Sequence, residues 1–223
     1  GLSMDRWPQH RRLFMALSLA GNLGMLGYFK YCDFFIENWI AALNALGFHS
    51  SLHTLSIFLP VGISFYTFQT LSYTIDIYRG ELAARKNLLN YMVFVMFFPQ
   101  LVAGPVERAS RLLPQCESER IFSMEHLRSG FGLALWGAFK KVALADAIAP
   151  YVDVIFVSDD PSWAMIWTAA LGFTIQALAD FSGYTDIARG ASRLLGIELM
   201  DNFAHPYLAA TPMEFWQRWH ISF

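Results

Sequence analysis

Charge is what this chain has least of. Of its 223 residues only 15% are Asp, Glu, Lys or Arg, where a soluble domain usually carries about 25%. That shortage excludes an ordinary water-facing surface over most of the chain. A net charge of −2 leaves no basic footprint for nucleic acid. The two cysteines, Cys32 and Cys116, are too few for a disulfide framework, and each reads as a small buried thiol. His49 and His53 stand at a metal-ligand spacing, but in a serine-rich turn without a third ligand nearby. They read as loop residues, and no metal is expected. No internal repeat, low-complexity segment, signal-peptide cleavage pattern or soluble-domain boundary is visible.

What is present is apolar and aromatic. Hydrophobic residues make up 55% of the chain, with 20 Phe and 7 Trp, and the mean hydropathy is +0.36. Leu13 to Phe29 is uncharged and near the lower limit of the ~20 residues a membrane-spanning helix needs. Gly21, Gly24 and Gly27 recur along it and predict a close helix contact. Arg6, Arg11 and Arg12 precede it, which places that end in the cytoplasm. Asp33 to Phe48 reads as an amphipathic or short membrane helix. Leu55 to Ile75 reads as a clear span, bent near Pro60 and Gly62, and Asp76 and Arg79 are spaced to pair after it. Asn87 to Val106 is apolar but holds Pro99, Gly104 and Pro105. It is either a broken, re-entrant segment lining a pocket or a plain span that ends at Pro99. Glu107 to Arg128 reads as a solvent loop with a short interfacial helix. Ser129 to Tyr151 contains Lys140 and Lys141 and reads as an interfacial or re-entrant helix with snorkelling lysines. Ser162 to Ala179 is the last full span, with Asp180 at its end. Ile187 to Leu195 reads as a further helix capped at Gly196.

The C-terminal run is the most unusual. Thr211, Pro212 and Glu214 form a capping-box pattern, so a helix is predicted from there. Trp216, His220 and Phe223 would share one face of it. A lone imidazole among indole rings, beside spanning sequence, predicts a membrane-embedded pocket built around His220. The plainer alternative is a hydrogen-bonded core histidine. Asp180 and Asp186 are carboxylates in or near the membrane and so candidates for function, although Asp186 can also pair with Arg189 three residues on. Gln100 and Asn202 offer hydrogen bonds, and Trp216 and Trp219 aromatic surface, to such a pocket. Ser182 lacks the elbow glycine two positions earlier and does not read as a nucleophile.

Several segments together carry a resemblance. They are Gly-Ile-Ser-Phe-Tyr-Thr-Phe-Gln-Thr-Leu-Ser-Tyr (62–73), Ile-Asp-Ile-Tyr-Arg-Gly (75–80) and Phe-Phe-Pro-Gln-Leu-Val-Ala-Gly-Pro-Val (97–106). Asp-Phe-Ser-Gly-Tyr-Thr-Asp (180–186), Asn-Phe-Ala-His-Pro-Tyr (202–207) and Glu-Phe-Trp-Gln-Arg-Trp-His-Ile-Ser (214–222) continue them in order. With these the chain resembles the membrane-bound O-acyltransferases, in the bacterial branch of alginate O-acetyltransferases and teichoic acid D-alanyl transferases. Pro-Gln-Leu-Val-Ala-Gly-Pro is more similar to the alginate side.

The resemblance implies an all-α, multi-pass membrane protein, a ring of helices around a tunnel with broken or re-entrant segments. Residues 1–223 would be a single membrane domain and a fragment of a larger one, open at both ends. His220 would be one of two active-site histidines, acting as base or as the partner that places acceptor or donor, and the other, usually regarded as the catalytic one, would lie on a later segment. The implied reaction moves an acyl group, acetyl by preference, to hydroxyls of an exported polysaccharide such as alginate. Its donor, acetyl-CoA or an acyl carrier, is a co-substrate, and no bound cofactor is implied. Implied partners are membrane lipid, the polysaccharide and periplasmic acetylation or export subunits, with no nucleic acid. The implied location is the bacterial inner membrane. The rivals are D-alanyl transfer to teichoic acid, a transporter wall and a non-catalytic scaffold. A transporter should carry ionisable residues in the middle of its spans, whereas this sequence reads as placing them at span ends.

Overall fold

A computed structural model of the chain describes residues 1–48, 53–101, 104–120 and 123–223. The described residues form α-helices α1 (Leu2–Arg6), α2 (Arg11–Leu26), α3 (Cys32–Ala45), α4 (Ile63–Arg79), α5 (Leu88–Val95) and α6 (Phe98–Leu101). These are followed by α7 (Ala109–Glu117), α8 (Met124–Phe139), α9 (Asp146–Phe156), α10 (Trp163–Leu194) and α11 (Pro212–Arg218). Extended pairing among them is confined to one isolated antiparallel bridge, Phe203 with Trp219. The expected all-helical class is what forms. The helices fall into two compact units, residues 1–97 with 108–114, and residues 98–107 with 115–223.

In the first unit α2 runs through a π turn, Gly27–Tyr31, into α3. α2 lies antiparallel to α4 along a polar seam. The Arg11 guanidinium donates to the Ile77 carbonyl at 3.0 Å, and the Ser18 and Thr74 hydroxyls share a bond of 3.2 Å. Thr70 Oγ1 donates to Asn22 Oδ1 at 2.6 Å, and Lys30 Nζ to Ser64 Oγ at 3.1 Å. Interhelical bonds of this kind hold helices together where lipid supplies no hydrophobic drive. The predicted glycine contact is corrected: a Cβ on Gly21, Gly24 or Gly27 would meet no described atom within 4 Å. The polar stripe of Ser18 and Asn22 faces the neighbour instead.

The span expected over Leu55–Ile75 is also shorter than its apolar run. Pro60 has no N–H to donate and Gly62 takes a left-handed φ of +76°, so helix begins only at Ile63. Two backbone groups of the non-helical part, Leu55 N–H and Ile57 N–H, donate to the Asp33 carboxylate at 2.8 and 3.1 Å. The run Asn87–Val106 breaks between α5 and α6, with Pro99 inside α6, so a plain span ending at Pro99 is not what forms. His49 lies outside the described residues, and the His49–His53 pair with it.

The second unit departs furthest from expectation. Where an interfacial or re-entrant helix was expected over Ser129–Tyr151, α8, a π turn at Lys140–Ala145 and α9 make one helical run. Where a break was expected after Ala179, α10 continues unbroken for 32 residues. At 1.5 Å per residue that is ~48 Å, more than the ~30 Å of a bilayer's hydrocarbon. Among the described residues it is the one helix long and apolar enough to cross a membrane. In both runs the charges that read as interruptions pair with each other, Lys140 of the π turn with Asp186 of α10 and Lys141 with Asp180. Glu107 is likewise no solvent residue, being 1% exposed with its carboxylate accepting from the Met200 N–H. α10 closes as predicted, with Gly196 at φ +72° and Ile197 N–H donating to the Ser192 carbonyl at 3.0 Å.

α8 and α10 approach through glycine. A Cβ on Gly190 would stand 2.6 Å from the Gly130 carbonyl oxygen and from Ala134 N, and one on Gly137 would stand 2.5 Å from the Gly183 oxygen. Gly190→Ala is therefore expected to destabilise the protein by about 1–3 kcal/mol, the usual cost of overpacking. Gly132→Ala, where a Cβ meets nothing within 4 Å, is expected to be neutral or stabilising by up to about 1 kcal/mol from helix propensity. Thermal unfolding of the two variants in detergent checks the contrast. Equal midpoints would mean that the helices do not meet at Gly190.

Candidate active site

The site begins at the helix start the sequence predicted. Thr211 Oγ1 accepts from the Glu214 N–H at 3.2 Å, and Glu214 Oε2 accepts from the Ala210 N–H at 2.8 Å. The Ala210 N–H, with Arg218 beside it, holds the Glu214 carboxyl below its usual range. The helix then stops at Arg218, two residues short of the histidine. Trp219 is extended at φ −103°, ψ 126°. It is drawn into the bridge with Phe203 because Ala204 N–H donates to the Arg218 carbonyl and Ile221 N–H to the Asn202 carbonyl, at 3.0 and 3.1 Å. His220 follows in a left-handed conformation, φ +49°.

This corrects the predicted helical face of Trp216, His220 and Phe223. The imidazole stands edge-on to Phe181 of α10, centroids 4.8 Å apart, and stacks on Phe223 at 5.3 Å. Among the described residues its ring neighbours are phenyl groups and not indoles. Trp216 is 68% exposed, while Trp219 packs against Phe203, Phe215 and Tyr207. Tyr207 in turn donates its hydroxyl to the Thr174 carbonyl of α10 at 2.6 Å. A cavity of about 480 Å³ is lined by Trp216, Gln217, Trp219, His220, Ile221 and Phe223. Nε2 of His220 is shielded and carries no hydrogen bond to a described residue. Burial pushes the imidazole below its ordinary pKa near 6.5, which favours the neutral, proton-accepting form.

The two aspartates are engaged elsewhere. Lys140 Nζ meets the Asp186 carboxylate at 2.7 Å and donates to Ser182 Oγ at 3.0 Å. Lys141 Nζ meets Asp180 at 2.7 Å and Asp146 at 2.6 Å. Arg189 reaches Asp186 at 3.7 Å and pairs with Asp201. The two lysines and the aspartates Asp180 and Asp186 lie along two helical runs, at the π turn Lys140–Ala145 and in α10, and they pair with one another. Gln100, on α6, is 1% exposed. Asn202 is fully buried and binds the backbone that follows His220. Among the described residues no group of three His, Cys, Asp or Glu side chains gathers to hold a metal.

The structure thus brings His220, Asn202, Trp216 and Trp219 to one end of the chain and ties Asp180 and Asp186 to the lysines. Sequence reading missed Phe181 as the imidazole's neighbour and the lysine–aspartate pairing. A signal for the pairing was present: two adjacent lysines in one apolar run and two aspartates in another.

The family model of the membrane-bound O-acyltransferases matches residues 6–223. A "Probable alginate O-acetylase" of Azotobacter vinelandii is 40% identical over 96% of this chain and 42% of its own length. A "Peptidoglycan O-acetyltransferase" of Helicobacter pylori is 33% identical over 96% of this chain and 45% of its own. A "Teichoic acid D-alanyltransferase" of Bacillus subtilis is 29% identical over 78% of this chain and 44% of its own. The chain spans less than half the length of these relatives.

Proposed function

The chain belongs to the membrane-bound O-acyltransferase family, and from that premise we propose that it supplies His220 to an enzyme that acylates exported polysaccharide. The observation that carries this reading is the buried, unpartnered Nε2 of His220 beside an aromatic-walled cavity. A sugar hydroxyl is a poor nucleophile at neutral pH. Nε2 takes its proton as the oxygen attacks the acyl carbonyl carbon, and a tetrahedral intermediate forms. Collapse breaks the bond to the donor's leaving group, and the imidazolium returns the proton to it. The donor is acetyl-CoA or an acyl carrier, the acyl group is acetyl, and the acceptor is alginate or a related polymer. Residues 1–223 act as one membrane domain within a multi-pass ring around a tunnel in the bacterial inner membrane. Lipid and periplasmic export subunits are its partners. Gln100, Trp216 and Trp219 line or support the acceptor path.

The experiment is transfer by the complete gene product in membranes, offered labelled acetyl and D-alanyl donors in parallel, with label followed into polysaccharide. Acetyl label on alginate-type polymer is the expected result. D-alanyl label on teichoic acid would move the chain to the other branch, and no transfer of either would overturn the acyltransferase reading.

A further inference from the structure

We infer that Asn202 is the residue that aims His220, a positioning role that rests on the catalytic reading of His220 given above. His220 takes its left-handed turn outside any helix, and a non-glycine residue keeps such a conformation only where its surroundings over-determine it. The two N–H groups that follow it supply the determination. Ile221 N–H donates to the Asn202 carbonyl at 3.1 Å, and Ser222 N–H donates to Asn202 Oδ1 at 3.2 Å. One residue, with no exposed surface, therefore holds both backbone donors next to the imidazole.

Asn202 is itself anchored. Its Nδ2 donates to Thr185 Oγ1 at 3.4 Å, and Thr185 is a 2% exposed residue of α10. The same helix carries Phe181, the ring the imidazole rests against. The histidine turn and its aromatic support are thus referred to one rigid element by way of a single carboxamide. On the far side, Val106 N–H donates to Ser222 Oγ at 3.0 Å, which keeps Ser222 from swinging away. Asparagine meets the need because its side chain accepts from the turn and donates to the helix at once. Asn202 has no exposed surface, so it acts through His220 and does not contact the acceptor.

The test uses the complete gene product in membranes, assayed for transfer to polysaccharide and normalised to folded protein. Asn202→Ala is expected to lower kcat about 100-fold, as a misplacement of about 1 Å at a catalytic group does, with KM for the acceptor unchanged. Wild-type kcat overturns the inference. So does a raised KM with kcat intact, which would make Asn202 an acceptor contact. Should Asn202→Ala fail to accumulate, Thr185→Val decides, because it removes one anchoring bond and leaves the backbone pairing intact. There kcat is expected to fall about fivefold, in line with one hydrogen bond, again at unchanged KM, and an unchanged kcat overturns the inference. His220→Ala separates the two readings. If it is fully active, the catalytic reading itself is wrong. If it is inactive while Asn202→Ala matches wild type, only the positioning role falls.

Discussion

Replacing His220 with alanine in the complete gene product is expected to lower acyl transfer by about 100- to 10,000-fold, the range a positioned general base contributes. Accumulation should change little, because no hydrogen bond between described residues ends on Nε2. The loss to the fold is the contact with Phe181 and Phe223. His220→Asn is the sharper variant. Asparagine tolerates the left-handed backbone that His220 adopts, yet its amide is no base at neutral pH, so chemistry is lost while the turn is kept. The pH profile adds a sign. Burial lowers the imidazole pKa, and the neutral form is the one that accepts a proton. Transfer should therefore hold level through neutral pH and decline only as the pH falls below the ordinary imidazole value. Near-normal transfer by both variants, or a rate that rises on acidification, would show that His220 is not the base.

A second large effect is expected where the π turn at Lys140 meets α10. The Lys140 and Asp186 side chains are only 16% and 14% exposed and meet at 2.7 Å. Asp186→Ala leaves the Lys140 ammonium with Ser182 as its remaining described partner and frees Arg189 to lean wholly on Asp201. Stranding one member of a buried pair costs about 3–5 kcal/mol. Lys140→Met combined with Asp186→Leu removes both charges, and such exchanges are often neutral or stabilising. The double variant should thus unfold within about 1 kcal/mol of wild type, and with the Lys140→Met and Asp186→Leu single variants beside it the cycle isolates the pair's coupling. Thermal midpoints in detergent read it out. A double variant no more stable than the single one would mean the two charges do not act as a unit. Activity of a rescued double variant then tells pairing apart from a direct part in catalysis.

How far the sequence could be read follows from which interactions are local. The capping at Thr211, the glycine cap at Gly196 and the broken helix near Pro99 were legible, because each is set by residues a few positions apart. The helix class was legible from the long uncharged runs and the family resemblance. What escaped depended on partners distant in sequence. Lys140 and Lys141 look like an interruption until Asp186 and Asp180 lie opposite them, and then the helix runs on. Gly183 has no visible role until Gly137 is against it. The end of α11 escaped for the same reason. Nothing near His220 stops a helix, and the pull comes from Asn202 and Ala204, whose backbone takes Arg218, Trp219 and Ile221 into extended pairing. His220 could be picked out from its aromatic context, but its conformation belonged to a residue eighteen positions earlier, a distance no helical or strand period spans.

The π turn at Lys140–Ala145 has a consequence for length. A π turn closes its hydrogen bond one residue later than an α turn, so it stores one residue that the helices on either side do not need. Each residue otherwise turns an α-helix by about 100°. The stripe α8 presents to α10 and the stripe α9 presents to it are continuous in space but out of step by one position in the chain. Deletion of one residue here would relax the turn to α and leave both stripes where they are. The casualty would be local: the wide turn lets two consecutive lysines serve different aspartates of one helix. The segment is thus a place where the chain can change length without changing shape, with the pairing of Lys140 and Lys141 as the feature at stake.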